Sequence, residues 1–180
     1  MFAEWRARRV LRAKAAAYVA TLFADVPTND VEWLARHGTG GDADHARWEL
    51  RYAKRAIGLL TAKRDALDDK TASAVAHELA MALASDPNID AGKLRVAERQ
   101  LNARLRAYGE ALSNREGAGS GWHMGRTLLE FAGRRETVPP EVVAHAGEVL
   151  ANYLAEANEA LRREFGSAAL PEDVAPSSLR

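Results

Sequence analysis

The stretch DADHARWELRYAKRAIGLL, residues 42–60, shows most directly which fold the chain adopts. Drawn as a helix at about 100° per residue, it carries two apolar stripes that lie side by side. The first stripe consists of Ala46, Leu50, Ala53, Ile57 and Leu60, and the second of Trp48, Tyr52 and Leu59. An apolar arc of this width is typical of a helix that packs its wide side against a core. We therefore expect residues 42–60 to form such a helix.

Two titratable residues, His45 and Glu49, lie between these stripes and therefore inside the apolar arc. Three cationic residues of the segment fall on the opposite side, which we expect to be solvated: Arg47, Arg51 and Lys54. A buried charge without a partner is costly, so the pair needs each other, Tyr52, or groups from another helix. Two interpretations stay open: a hydrogen-bonded structural pair near the helix end, and a site for metal binding or acid–base chemistry.

The other long segments of the chain are also predicted to be helical. Ala, Leu, Arg and Glu dominate them, and alternating runs of β-branched residues are absent. The clearest ladder of apolar positions follows Asp90: Leu94, Ala97, Leu101, Leu105, Tyr108 and Leu112. Further helices are expected over residues 3–24, 28–37, 68–85, 122–133 and 140–165, and the helix that begins at residue 42 is expected to continue to residue 67. The sequence therefore predicts an all-α fold, an antiparallel bundle of about four long helices plus two or three short ones.

Length and composition are those of one globular domain. The chain has 180 residues, of which 47% are hydrophobic and 28% charged, and its formal net charge is zero. A domain of this size removes about 70% of its unfolded surface from water, enough to support a core of its own. We expect one domain over residues 1–166 and a loosely ordered tail over residues 167–180.

The compartment is predicted from two features of the composition. The chain has no cysteine, which excludes disulfides, Cys-ligated metal clusters and a thiol nucleophile. No apolar run approaches the roughly 18 residues that a membrane-spanning helix needs. We therefore expect a soluble, cytoplasmic protein.

The segment TASAVAHELAMALAS, residues 71–85, is small or apolar around most of its circumference. Val75, Leu79 and Leu83 lie on one side of the predicted helix, and Met81 lies opposite. A helix that is apolar all round packs on more than one face. Either this helix is central in the monomer, or it forms part of a subunit interface.

A metal site would need more ligands than His45 and Glu49 provide. The next predicted helix offers His77 and Glu78, and the last one offers the stripe Glu141, His145 and Glu148. That stripe lies on the flank away from the apolar positions, so a solvated face is the expectation for it. We expect no metal and no cofactor, with His45, Glu49, His77 and Glu78 as the remaining metal candidates.

The glycine-rich loop REGAGSGWHMGR, residues 115–126, leads into a helix that Ser120 is positioned to cap. Free backbone N–H groups at a helix start attract anions, so a phosphate or carboxylate site is one interpretation. Its residues would be Ser120, Gly121, His123 and Arg126. Since no strand precedes the loop, a dinucleotide-binding fold is excluded, and a simple mobile connection is the alternative.

Basic residues collect at the N-terminus, where a single acid, Glu4, and the aromatic Trp5 accompany them: Arg6, Arg8, Arg9, Arg12 and Lys14. A basic helix of this kind is typical of contact with nucleic acid or an anionic membrane. The helix after Asp90 adds Arg95, Arg99, Arg104 and Arg106, which would extend the patch if the two helices were neighbours. The alternative is an ordinary solvated face.

No catalytic motif organises these candidates; neither H-E-x-x-H nor G-x-S-x-G is present. We therefore expect a non-catalytic interaction or scaffold protein that forms homo-oligomers or binds a protein partner. The first alternative is an enzyme that binds a small-molecule ligand or metal in an inter-helix pocket around His45, Glu49 and Tyr52. The second is an accessory protein that binds nucleic acid or an anionic membrane through the N-terminal helix.

Overall fold

A computed structural model describes residues 2–66, 68–114, 116–134 and 137–166. Every regular element in these ranges is helical, which confirms the predicted all-α fold. The α-helices are α1 Phe2–Phe23, α2 Thr28–His37, α3 Ala43–Asp65, α4 Asp69–Ala84, α5 Leu94–Ser113, α6 Ser120–Phe131 and α7 Pro140–Phe165, and a 3-10 turn, Ala91–Lys93, precedes α5. The tail predicted over residues 167–180 lies outside the described residues.

Side-chain caps explain where α3 and α4 begin. The Asp42 carboxylate accepts a hydrogen bond from the backbone N–H of His45 at 2.9 Å. Asp68 does the same for the N–H of Thr71 at 2.7 Å, and this bond holds the pKa of Asp68 below its ordinary value. Helix α2 has Pro27 at its N-cap position, which provides no side-chain cap bond.

Helix α3 is the centre of the bundle and packs against each of the other six described α-helices. Every residue from Tyr52 to Leu59 is buried, so the middle of the helix is covered on all sides. The prediction that Lys54 faces solvent is therefore wrong: its side chain is 7% exposed, and its ammonium lies 3.0 Å from the Glu156 carboxylate of α7. A wheel drawn for α3 alone does not reveal that α7 covers this side.

Contacts along α3 fix the direction of two neighbours. The Tyr18 hydroxyl of α1 donates a hydrogen bond to the carbonyl of Gly58 at 2.7 Å, while Phe23 lies under the Arg55 guanidinium at 3.8 Å. Arg55 also binds Asp86, which follows α4. Helices α1 and α4 therefore run in the same direction, and both run antiparallel to α3.

Helix α4 lies at the edge of the bundle. One side is buried through Thr71, Val75, Leu79 and Leu83, whereas the opposite side is exposed. Met81 on that outer side is 52% exposed, with exposed alanines beside it. Of the two interpretations of this apolar helix, a central position in the monomer is wrong.

Helices α6 and α7 cross at glycines that permit close backbone contact. A Cβ atom added at Gly125 would lie 2.3 Å from the carbonyl oxygen of Val143. One added at Gly147 would lie 2.6 Å from the carbonyl oxygen of Gly121. Both distances end at backbone atoms, which cannot rotate away, so this crossing requires glycine at 125 and 147.

We expect Gly125→Ala to destabilise the fold by about 1–3 kcal/mol, the usual cost of overpacking, and to lower the melting temperature accordingly. Gly121→Ala in the same helix is the matched control, because a Cβ there meets no atom of the structure within 4 Å. Thermal unfolding followed by circular dichroism measures both. Equal melting temperatures for the two variants would contradict the close crossing.

A buried ion pair joins α3 to the turn after α4. Arg55 donates to the Asp86 carboxylate at 2.7 Å, and both side chains are 3% exposed. Burial by itself raises the pKa of Asp86, but hydrogen bonds from the backbone and side chain of Asn88 and from Arg55 outweigh it. The net effect is a pKa of Asp86 below its ordinary value, so the ionised form is stabilised in the folded state.

Because this pKa is lower in the folded than in the unfolded chain, the pair stabilises fully above the unfolded value of about 3.9. The stabilisation is lost as the pH falls through the folded value. We expect Asp86→Asn to lower the free energy of unfolding by about 3 kcal/mol at neutral pH. Below about pH 4, the free energies of unfolding of the variant and the wild type should become more similar. Urea unfolding across pH measures it, and the exposed Asp90→Asn in the same turn is the control. A difference that is constant with pH would refute the ionic contribution.

Candidate functional site

The predicted site on α3 contains a buried ion pair whose cation comes from α5. Arg104 donates through Nε to Glu49 Oε2 at 3.1 Å and through Nη2 to Oε1. The Arg104 and Glu49 side chains are 6% and 5% exposed. This two-point geometry is the strongest arrangement available to a guanidinium and a carboxylate. The prediction that Arg104 belongs to an exposed basic patch is therefore wrong.

Aromatic rings and a glutamine enclose the rest of the guanidinium. Arg104 lies over the ring of Phe131 at 4.1 Å and over that of Tyr52 at 5.3 Å. Its Nη1 donates to the carbonyl and the side chain of Gln100, one turn earlier on α5. The charge of Arg104 is thus compensated by Glu49 and sandwiched between α3 and α6.

The predicted contact between His45 and Glu49 is present, but the two residues are buried differently. His45 Nε2 lies 3.4 Å from Glu49 Oε1, and the His45 side chain is 41% exposed. The imidazole therefore lies at the edge of the bundle, at the solvent side of the ion pair. The sequence pattern indicated Glu49 as a buried anion but did not indicate Arg104 as its main partner.

Two tyrosines lie close to this pair, and the pKa of each is raised, so both hydroxyl groups stay protonated. Burial raises the pKa of Tyr52, which packs against Trp48 with ring centroids 5.6 Å apart. Burial also raises the pKa of Tyr108, and the nearby Glu49 charge raises it further. The Tyr108 hydroxyl is buried, with no hydrogen-bond partner among the described residues.

The chemistry of this cluster is that of a structural contact. A carboxylate that accepts two hydrogen bonds from one guanidinium has few lone pairs left to ligate a metal. The tyrosines beside it remain neutral. The geometry therefore does not support an acid–base role for His45, Glu49 and Tyr52.

The remaining metal candidates are not brought together. His77 is exposed on α4, and Glu78 binds Arg12 of α1 at 3.1 Å. On α7, His145 lies 3.7 Å from Glu148, and both are exposed, as expected for a solvated face. Within the described ranges, no group of three or more His, Asp and Glu residues is arranged to hold a metal ion.

The residues of the predicted anion site at the start of α6 face two different parts of the structure. The N-cap residue is Gly119, with φ of 85° and no side-chain cap bond, so Ser120 does not cap the helix. The Gly121 carbonyl faces Gly147 at the crossing with α7. His123 and Arg126 instead line an open cavity of about 610 Å³ between α5 and α6.

The charges of this cavity do not favour an anion. Arg126 is the cation of the lining, and its guanidinium lies 3.4 Å from Glu130. Glu110 adds a second carboxylate, and the ring of His123 contacts the Glu116 carbonyl at 3.0 Å. With two carboxylates against one guanidinium, the cavity lining does not attract a phosphate or carboxylate.

The outer side of α4 forms an apolar ridge between two grooves. The groove beside α1 has a volume of about 290 Å³, and the groove beside α5 has about 230 Å³. The α1 side is lined by Ala16, Val19, Ala20, Phe23, Glu78, Met81, Ala82 and Ser85. The α5 side is lined by Leu59, Ala76, Leu79, Ala80, Leu83, Glu98, Leu101, Asn102 and Leu105. We call this surface, with Met81 at its crest, the α4 face.

The N-terminal part of α1 extends away from the packed core. Each side chain from Ala3 to Val10 is exposed, and the first buried residue of the helix is Ala15. We call residues 3–10 the α1 arm. Trp5 in this arm is 59% exposed, with the Arg9 guanidinium over its ring at 5.6 Å.

The residues predicted to contact nucleic acid or a membrane do not all lie on the arm. Arg6, Arg8 and Arg9 lie on the exposed arm, Lys14 is exposed further along, and Arg12 binds Glu78. Helices α1 and α5 do not pack extensively against each other. The patch predicted to combine their arginines is therefore not formed.

Comparison of the chain with protein-family models, curated proteins and solved structures finds no match. Among the helices that the structure describes, none is both long and apolar enough to cross a membrane. The function must therefore be argued from the surfaces themselves.

We expect Glu49→Met and Arg104→Met each to destabilise the protein by about 3–5 kcal/mol, because each leaves one buried charge without its partner. The double variant should lose less than the sum of the two, since it removes both charges. A double-mutant cycle from urea unfolding measures this coupling.

The control is Arg47→Met, which removes the cation of an exposed pair with Asp44. We expect it to change stability by less than about 1 kcal/mol. Additive effects of Glu49→Met and Arg104→Met would contradict the importance of their contact.

Proposed function

We propose that this chain is a non-catalytic, cytoplasmic interaction protein that self-associates by docking the α4 face onto a second copy. The observation that supports it is the exposed ridge around Met81 with an apolar groove on each side. Soluble monomers rarely expose continuous apolar surface, and such surface typically marks an interaction site.

A second copy suits this surface because it supplies both a ridge and grooves. In a two-fold dimer the same patch on each subunit meets its equivalent, so the patch must be complementary to itself. In such a dimer, Met81 at the crest of one copy would enter a groove on the other. Ala80 and Ala84, exposed beside it, let the two backbones approach closely.

Helix α4 itself brings little charge to this pairing. From Ser73 to Ala84, the only residue with a formal charge at neutral pH, with histidine taken as neutral, is Glu78, and Arg12 of the same copy binds it. A second carboxylate of the face is Glu98 of α5, which is exposed and lines one groove. The crest around Met81 is itself uncharged, as expected for the centre of an interface, where charged residues are few. The flexible thioether of Met81 also adapts to an uneven partner surface.

The absence of catalysis is part of the proposal and is supported by the ion pair on α3. Glu49, the acidic member of the candidate catalytic group, is held by Arg104 in the core. The cytoplasmic location is supported by the lack of cysteine, as expected for a protein of a reducing compartment.

We expect the wild-type chain to form dimers at micromolar concentration and Met81→Glu to weaken the dimer at least about tenfold, because each interface would bury two new carboxylates. Sedimentation velocity across a concentration series measures the monomer–dimer equilibrium. Met81 is exposed, so the variant is expected to fold normally, which circular dichroism checks.

Val96→Glu is the matched control, because Val96 is a 44% exposed apolar residue at the start of α5. It is not among the residues that line the two grooves. A wild-type chain that stays monomeric at high concentration would overturn the proposal. So would a dimer that both variants weaken equally.

A further inference from the structure

We propose that the α1 arm binds the phosphate backbone of nucleic acid. This inference is independent of self-association, because it concerns residues 3–10, which lie outside the α4 face. The arm combines three observations: it extends from the bundle, its arginines share one side, and an exposed indole lies among them.

The shape of the arm allows it to enter a nucleic-acid groove. Eight exposed residues in helical conformation extend about 12 Å at a rise of 1.5 Å per residue. A helix with its side chains is about 10–12 Å across, and the major groove of a DNA duplex is about 12 Å wide. Because no side chain from Ala3 to Val10 is buried, the whole circumference of the arm is accessible.

The arginines of the arm form one basic surface. At about 100° per residue, Arg6, Arg8 and Arg9 fall within less than half of the helical wheel, together with Arg12 of the next turn. Glu4 is the only acid among residues 3–14. The chain as a whole has a formal net charge of zero, so this local excess of positive charge is offset elsewhere. A polyanion is therefore attracted to the arm and not to the protein in general.

The residue types fit phosphates in particular. A guanidinium offers a planar set of donors that binds two phosphate oxygens at once, which an ammonium does not. Trp5 lies within the same arc and presents an aromatic face on which an unpaired base can stack. Phosphate contacts would supply the affinity, and the arm carries no side chain of the Asn or Gln type that reads adenine.

An anionic membrane fits the arm less well. A helix that lies in a membrane interface needs a wide side of large apolar residues opposite its basic side. Opposite the arginines, the arm has only Ala3, Ala7, Val10 and the acid Glu4. Its one large described aromatic residue, Trp5, lies among the arginines instead. The arginines of the arm are therefore better arranged to contact phosphates in a nucleic-acid groove or along a single strand than to lie on a membrane.

The test is fluorescence anisotropy of labelled oligonucleotides, single-stranded and duplex, titrated with the full chain over a series of salt concentrations. We expect Arg6→Gln/Arg9→Gln to weaken binding at least about tenfold at low salt and to reduce the slope of log affinity against log salt by about two. The control, Arg95→Gln/Arg99→Gln, removes the same charge from exposed positions of α5 and should leave affinity within about twofold.

The two strand forms distinguish the mode of contact. A loss for Trp5→Ala on single strands alone supports stacking on an unpaired base, and an unchanged affinity for both forms supports contact through the arginines alone. Met81→Glu leaves the arm intact, so binding that persists in this variant, even at lower affinity, supports contact through the arm itself. Circular dichroism establishes that each variant keeps its helix content.

Three results would overturn the inference. The first is no binding of either oligonucleotide at the lowest salt. The second is an equal loss in the α1 and α5 double variants, which would indicate general electrostatic attraction. The third is binding to vesicles containing anionic phospholipid, measured by co-sedimentation, that is tighter than binding to nucleic acid and is lost in Arg6→Gln/Arg9→Gln.

Discussion

The ion pair between Glu49 and Arg104 is the interaction on which the arrangement of the bundle depends. Removing the Glu49 carboxylate of α3 from water without a partner is costly. Helix α5 must therefore pack so that Arg104 lies level with Glu49 along α3. Phe131 of α6 then covers the guanidinium at 4.1 Å, which positions a third helix. One buried charge on α3 thereby sets the register of α5 and the place of α6.

The same logic recurs along α3, which carries charge on several sides although it lies at the centre. Lys54 meets Glu156 of α7, and Arg55 meets Asp86 in the turn after α4. Buried ion pairs contribute little net stability when compared with well-packed apolar groups, yet a wrong neighbour would leave a charge unpaired. The charges of α3 thus act chiefly by excluding alternative packings, while the leucines and alanines supply most of the driving force.

The helices could be predicted because capping and apolar spacing are local properties of the chain. What could not be predicted was which side of each helix another helix covers. Arg104 resembles the exposed arginines of α5 in sequence, and only its height opposite Glu49 makes it a core residue. For helix α4 the sequence left both a central and a surface position open, because its alanines are apolar enough for a core and small enough for a surface. The glycines at 121 and 125 suggested an anion loop, whereas Gly125 permits the crossing with α7, to which Gly121 contributes its carbonyl.

The contact between Arg12 and Glu78 marks the boundary between the two surfaces to which we assign functions. On the N-terminal side of this contact, residues 3–10 are exposed on every side. On its C-terminal side, α1 packs beside α4. The α4 face and the α1 arm share no residue, so the two proposed contacts do not compete for the same side chains. Two arms on one dimer would bind a polyanion with the benefit of effective concentration, provided that their spacing matches the ligand. Self-association would then raise the affinity of a weak basic arm without any new contact.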